Sequence, residues 1–124
     1  MRKIKFRAWD SKTGVMFTPD AIMNDGTARP VLKLSKKRGM AYKDCPVMQF
    51  TGLLDKNGKE IYEGDILEFP SGERRKVLWQ ATLACFQHEA LDYSRWGQLD
   101  EMMATKCEII GNVYENPELL QEQQ

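Results

Sequence analysis

Cys45, Cys85, His88 and Cys107 are the residues whose types could bind a metal. Only Cys85 and His88 lie close together, as Cys-Phe-Gln-His, and no second paired knuckle completes a zinc site. On a strand, residues three apart point to opposite faces, so that pair could not share an ion. Glu60, Glu63, Asp65 and Glu68 are the acid–base candidates. A hydrolase holds two carboxylates across a cleft with one desolvated, whereas these four punctuate a hairpin and a corner. His88 is the only histidine, so a nucleophilic cysteine or serine has a single candidate base. Gly52, Gly58 and Gly64 recur every six residues along a hairpin and open no helix that could cradle phosphate. The expectation is a protein that is not an enzyme, with no cofactor, no metal and no evident small-molecule substrate.

The elements that would position these residues are short strands. The 124 residues suffice for one modest core, and 42% hydrophobic with 29% charged residues is the balance of a globular domain. There is no apolar run of the roughly 20 residues that a membrane helix needs. Met1-Arg2-Lys3-Ile4-Lys5-Phe6 alternates charge and hydrophobe, unlike a signal peptide, and three widely spaced cysteines suit a reducing compartment. A cytoplasmic protein without membrane contact is expected.

Lys3-Ile4-Lys5-Phe6-Arg7-Ala8 alternates as a half-buried strand, with Ile4, Phe6 and Ala8 inward and Trp9 on the outward parity. Val15-Met16-Phe17-Thr18 returns to complete a hairpin. Residues 19–46 are broken by Pro19, Asn24-Asp25-Gly26 and Pro30, which exclude a long element. Val47-Met48-Gln49-Phe50 feeds a central hairpin in which Asn57-Gly58 predicts a two-residue type I′ turn, setting Leu53-Leu54 beside Ile61-Tyr62. Gly64-Asp65 is a corner into Ile66-Leu67-Glu68-Phe69. Arg74 to Trp79 and Thr82 to Phe86 read as two further strands. The pattern breaks after His88, leaving residues 93–97 as a loop and a weak helical period over residues 99–103. Cys107 to Tyr114 closes the sheet with a bulge at Gly111, and Asn116-Pro117-Glu118 starts a short helix with Asn as N-cap.

Four segments spanning the chain resemble the YopX family of small phage and prophage proteins. They are Ile4-Lys5-Phe6-Arg7-Ala8-Trp9-Asp10, Gln49-Phe50-Thr51-Gly52-Leu53, the stretch from Asp55 to Ile66, and Ile110-Gly111-Asn112-Val113-Tyr114-Glu115-Asn116-Pro117-Glu118-Leu119. The resemblance implies a phage or prophage origin and a C-terminal SH3-like barrel, and brings no activity with it. The expected fold is mostly β. An N-terminal hairpin and loop region, residues 1–49, would pack with an SH3-like small β-barrel ending in a short helix, residues 50–124.

Two binding readings follow. Tyr93, Trp96 and Trp9 are candidate anchors for a protein partner or for self-assembly, since Trp and Tyr dominate interface energetics. The alternative is a nucleic-acid-binding barrel that uses the basic N-terminal portion, with Lys36, Lys37, Arg38, Arg74 and Arg75 meeting phosphates. Residues 1–49 carry eleven cationic against four anionic side chains and residues 50–124 seven against fourteen, leaving +7 and −7. Overall neutrality and a pI near 6.6 favour a protein partner, because binding through phosphate charge usually needs a distinctly basic domain.

Overall fold

The computed structural model describes residues 3–19, 21–22, 28–29 and 45–121. The chain is mostly β and antiparallel, and it divides into two compact units, Ile4–Gln49 and, together with Lys3, Phe50–Gln124. In the first unit β1 (Phe6–Asp10) pairs with β2 (Val15–Phe17) and with the opening of β5 (Val47–Leu54), Ala8 lying opposite both Phe17 and Val47. Ala8, Phe17 and Cys45 form its small core with Val47 against them. A two-residue ladder, β3 (Ala21–Ile22) with β4 (Ala28–Arg29), belongs to the same unit. The strand begins later than the alternation suggests, because Ile4 lies ahead of β1 and is exposed rather than inward. The candidate strands at residues 31–34 and 40–42 fall outside the described residues.

The second unit takes the end of β5, where Phe50 pairs with Tyr62 and Leu54 with Glu60 of β6 (Glu60–Tyr62). It then builds a five-stranded sheet that curls into a half-barrel, in the order β10-β9-β8-β7-β11. Its strands are β7 (Asp65–Glu68), β8 (Arg74–Gln80), β9 (Cys85–Ala90), β10 (Trp96–Gln98) and β11 (Glu108–Asn112). Period-two alternation puts Leu67, Val77, Phe86 and Ile109 on one face. Ile61, Leu99, Ala104 and Cys107 complete that core. A helical turn, α1 (Glu101–Ala104), is capped by Asp100, whose carboxylate accepts from the Met103 N–H.

The sequence locates the central hairpin but not its turn. Asn57 has negative φ; Gly58 alone in the loop is left-handed, at +78°. The Gly58 N–H donates to the Asp55 carbonyl and the Asp55 N–H to the Lys59 carbonyl. This is a type I turn closed by a glycine bulge, not a type I′ turn, and it sets Leu54 opposite Glu60 rather than Leu53-Leu54 beside Ile61-Tyr62. Asp55 drives the change. Its Oδ1 accepts from the N–H groups of Asn57 (2.8 Å) and Lys59 (2.9 Å), and its Oδ2 from Ile109 (3.0 Å) on β11.

Three other expectations shift. Residues 81–84 form the turn between β8 and β9, with Ala84 left-handed, so β9 starts at Cys85 and runs past His88 to Ala90. Residues 96–98 form a strand, not a loop. Pro117–Leu120 is a 3-10 helix in which Asn116 makes no side-chain cap, because its Oδ1 accepts from the Asn112 N–H instead. The bulge near Gly111 is present between Ile109 and Gly111.

Burial would raise the Asp55 carboxyl, but the N–H donors of Ile109, Lys59 and Asn57 outweigh it and hold the group below the usual 3.8. The stability it confers is therefore complete above that usual value and lost as pH falls through the folded one. Asp55→Ala should cost about 3 kcal/mol by urea unfolding at neutral pH, from three charge-assisted bonds and a vacated buried site. The difference between variant and wild type should shrink on acidification below about pH 4.

Candidate functional site

Two groupings in the second unit stand out, one buried and one exposed. The buried one follows from strand register. Arg75 lies opposite Leu67 and Ala90, and His88 opposite Val77, so both point to the core-facing side of the curled sheet. The Arg75 Nη1 donates to His88 Nδ1 at 2.9 Å, and Nη2 meets Glu73 Oε2 at 3.0 Å. Nδ1 accepts that bond, so His88 is neutral with its proton on Nε2. The Phe69 ring meets the imidazole edge-on at 5.0 Å and lies under the Arg75 guanidinium at 4.8 Å. Arg95 reaches Glu73 from the rim at 3.5 Å.

Gly97 of β10 lies directly opposite His88. A Cβ there would come within 2.8 Å of the imidazole Cε1 and 2.9 Å of Nε2, so only a glycine lets β10 close over the ring. The buried cluster thus sets the position of the edge strand. Burial, then the Arg75 charge, pushes His88 below its usual 6.5, with Asp100 and Glu73 offsetting only part.

The exposed grouping sits where β9 turns into β10. The Tyr93 N–H donates to the Ala90 carbonyl, and the Ala90 N–H to the Arg95 carbonyl. Tyr93 takes the left-handed conformation at φ +64°, unusual for a bulky side chain. Asp92 Oδ1 accepts from both the N–H and hydroxyl of Ser94 and shapes the turn. The tyrosine ring lies over Lys76 Nζ at 4.4 Å, and that ammonium donates to its hydroxyl at 3.3 Å. Lys76, Glu89 and Trp96 follow one another across β8, β9 and β10 on the outer face. Tyr93 remains 67% exposed and Trp96 59%.

The sequence-predicted residues disperse accordingly. Tyr93 and Trp96 come to one corner, whereas Trp9 is half-buried on β1 in the other unit, opposite Met16. Lys36, Lys37 and Arg38 lie outside the described residues. Arg74 is half-buried opposite Glu68, while Arg75 is buried and turned to the other face. Consecutive strand residues diverge, so the Arg-Arg-Lys run is not one patch. Cys45 belongs to the first unit, and Cys107, buried, donates to the Met103 carbonyl. Among the described residues no three His, Cys, Asp or Glu gather as a metal would need, and no described helix is long and apolar enough to cross a membrane.

Arg75, His88 and Glu73 were missed as a group from the sequence. The available signal was parity, since Arg75 shares its face with Val77, and His88 with Phe86 and Ala90.

A model of the YopX protein family matches residues 5–121. The chain belongs to the YopX family. It is similar to protein EF1440 from Enterococcus faecalis, with 25% identity and a TM-score of 0.68 over 98% of this chain and 100% of that one. Protein yopX from Bacillus subtilis, 21% identical, superposes with a TM-score of 0.61 over the full length of both. No curated protein matches the chain. The shared family and fold carry no chemistry to this corner, so its role is argued from its own geometry.

Because the folded His88 resists protonation, the unfolded chain takes up the proton first. Stability should fall as pH drops below about 6.5, until folded His88 itself titrates. His88→Asn, which keeps an acceptor for Arg75 without titrating, should flatten the urea midpoint between pH 7 and pH 5. An unchanged slope in the variant would remove His88 as the cause.

Proposed function

We propose that this YopX-family protein is a non-catalytic binding module, a phage or prophage accessory protein of the bacterial cytoplasm that engages a protein partner or a second copy of itself. The observation that carries the reading is the display of Tyr93. A bulky residue in the left-handed region costs about 1 kcal/mol or more, and such conformations persist at functional positions. Here the strain turns a tyrosine outward beside Trp96, with Lys76 fixing its ring. Fixed, exposed aromatics are the side chains that most often anchor protein interfaces.

Further features support the reading. The only histidine is committed to Arg75 in a buried cluster, which favours binding over catalysis. The strand order of the half-barrel, with a helical turn between β10 and β11, supports an SH3-like identity for the second unit, a fold that hosts many unrelated functions. The aromatic corner mixes Lys76 and Arg95 with Glu89 and Asp92, which suits a protein surface better than a polyanion.

Tyr93→Ala and Trp96→Ala should each weaken partner capture from host lysate by tenfold or more, with the thermal midpoint little changed. Retention of the same partners by both variants would overturn the anchor assignment. Salt-sensitive binding to mixed-sequence DNA or RNA in an anisotropy titration, abolished by charge reversal at Lys36, Lys37, Arg38 and Arg74, would replace it with the nucleic-acid reading.

A further inference from the structure

The half-barrel has two edge strands, and the chain treats them differently. At β11 two outward main-chain groups are taken up by the central hairpin, and those of Asn112 bond to Asn116. The Cys107 carbonyl accepts from the Lys56 N–H at 2.9 Å, and the Ile109 N–H donates to the Asp55 carboxylate. At β10 the Arg95 carbonyl and the Leu99 N–H bond to β9, through Ala90 and Phe86. Antiparallel strands alternate, so residues 95, 97 and 99 are the ones bonded to β9, and the N–H and C=O groups of Trp96 and Gln98 face away from it. Among the described residues nothing bonds to them.

We propose that this edge pairs with the same edge of a second copy, antiparallel about a two-fold axis through Gly97, joining two half-barrels into one continuous sheet. The inference rests on the binding-module reading and names its partner. The spacing of the free groups is self-complementary. Pairing about Gly97 sets Trp96 of each copy opposite Gln98 of the other, so the residues whose main-chain groups face outward become the hydrogen-bonded pairs. Gly97 meets Gly97 at the narrow, non-bonded position, about 4.5 Å between Cα atoms, where the absence of side chains is an advantage. A two-fold contact uses one patch twice, as this register does.

Side chains agree with the register. Trp96 and Gln98 lie on the outer face, so each Trp96 would rest on the facing Gln98, with the other Trp96 diagonally beyond it. The same register sets each Arg95, its side chain 70% exposed, opposite Leu99 of the other copy, where its aliphatic stem can lie along the edge. A three-residue edge is short, so the pair should be a weak, concentration-dependent dimer.

Sedimentation equilibrium of the full chain up to about 1 mM tests it. Wild type should show a reversible monomer–dimer equilibrium. Gln98→Pro removes an outward N–H without touching the bonds to β9 and should raise the dissociation constant at least tenfold. Trp96→Lys should do the same, and Trp96→Lys with Gln98→Glu should restore pairing, since each lysine then faces a glutamate. The double variant also guards against misreading a folding defect in Gln98→Pro.

A wild type that stays monomeric overturns the proposal, as does a dimer indifferent to Gln98→Pro and Trp96→Lys. If the monomeric protein still captures a partner through Tyr93 and Trp96, the pairing fails and the binding-module reading stands. If dimerisation through β10 holds while Tyr93→Ala and Trp96→Ala leave capture of other proteins intact, self-pairing alone survives.

Discussion

The carboxylate of Asp55, 3% exposed, is the constraint on which the half-barrel depends. A buried charge is costly unless it is fully hydrogen-bonded, and here three main-chain N–H groups from two separate stretches converge on it. Two of those bonds fold the hairpin tip back on itself. The third ties that tip to β11, more than fifty residues later in the chain. Lys56 adds its own main-chain bond to Cys107 and an ion pair with Glu108 at 3.5 Å, exposed and therefore weak. One short side chain thus fixes a turn, closes a sheet edge and brings the last strand beside β7. The sheet is left with a sealed edge and an open one.

At the open side the buried cluster of Arg75, His88 and Glu73 plays the corresponding role. Such a cluster in the core of a small domain adds less stability than apolar packing would, but it is demanding about geometry. Arg75 needs both the imidazole and the carboxylate, and the imidazole needs a bare backbone above it, which Gly97 supplies. The position of β10 is therefore set from beneath by polar contacts. Tyr93 and Trp96, on the turn and strand that follow from that placement, inherit their presentation from it. A change to the core at His88 would reach the surface by this route.

Much of this was legible in the sequence, and the failures share a physical origin. The strands expected at Arg74 to Trp79 and at Val47 to Phe50, bounded by turn residues or a proline, appear where expected, as does the bulge near Gly111. The Asn57-Gly58 turn was located but mistyped, because its local preference is overruled by a side chain two residues earlier bonding to a strand distant in sequence. The boundaries of β9 were displaced because an apolar turn, Ala81-Thr82-Leu83-Ala84, looks like a strand when only hydrophobicity is read. β10 was invisible because three residues around a glycine have no period to detect. Arg75 was grouped with its neighbours in sequence although a strand separates neighbours onto opposite faces. What remained illegible was tertiary: which face covers which, and which turn is tied to which strand.

The corners of the fold show why the Tyr93 turn differs in kind. Asp10, Asp55, Asp65 and Asn112 are all buried, and the side chain of each accepts main-chain N–H groups of the turn beside it. In a domain with so modest a core, these short polar groups satisfy backbone donors that would otherwise be buried without partners. The turn from β9 to β10 has the same device in Asp92, but there the aspartate is exposed and the strained residue is a tyrosine. Glycine or asparagine would fit that left-handed position with less strain, so stability alone does not account for the choice. The turn holds an aromatic ring outward, over Lys76 and next to the unpaired strand edge. A corner built for stability would bury its polar group and place a small residue at the bend. This one does the reverse on both counts: its aspartate is exposed and its bend carries a bulky aromatic.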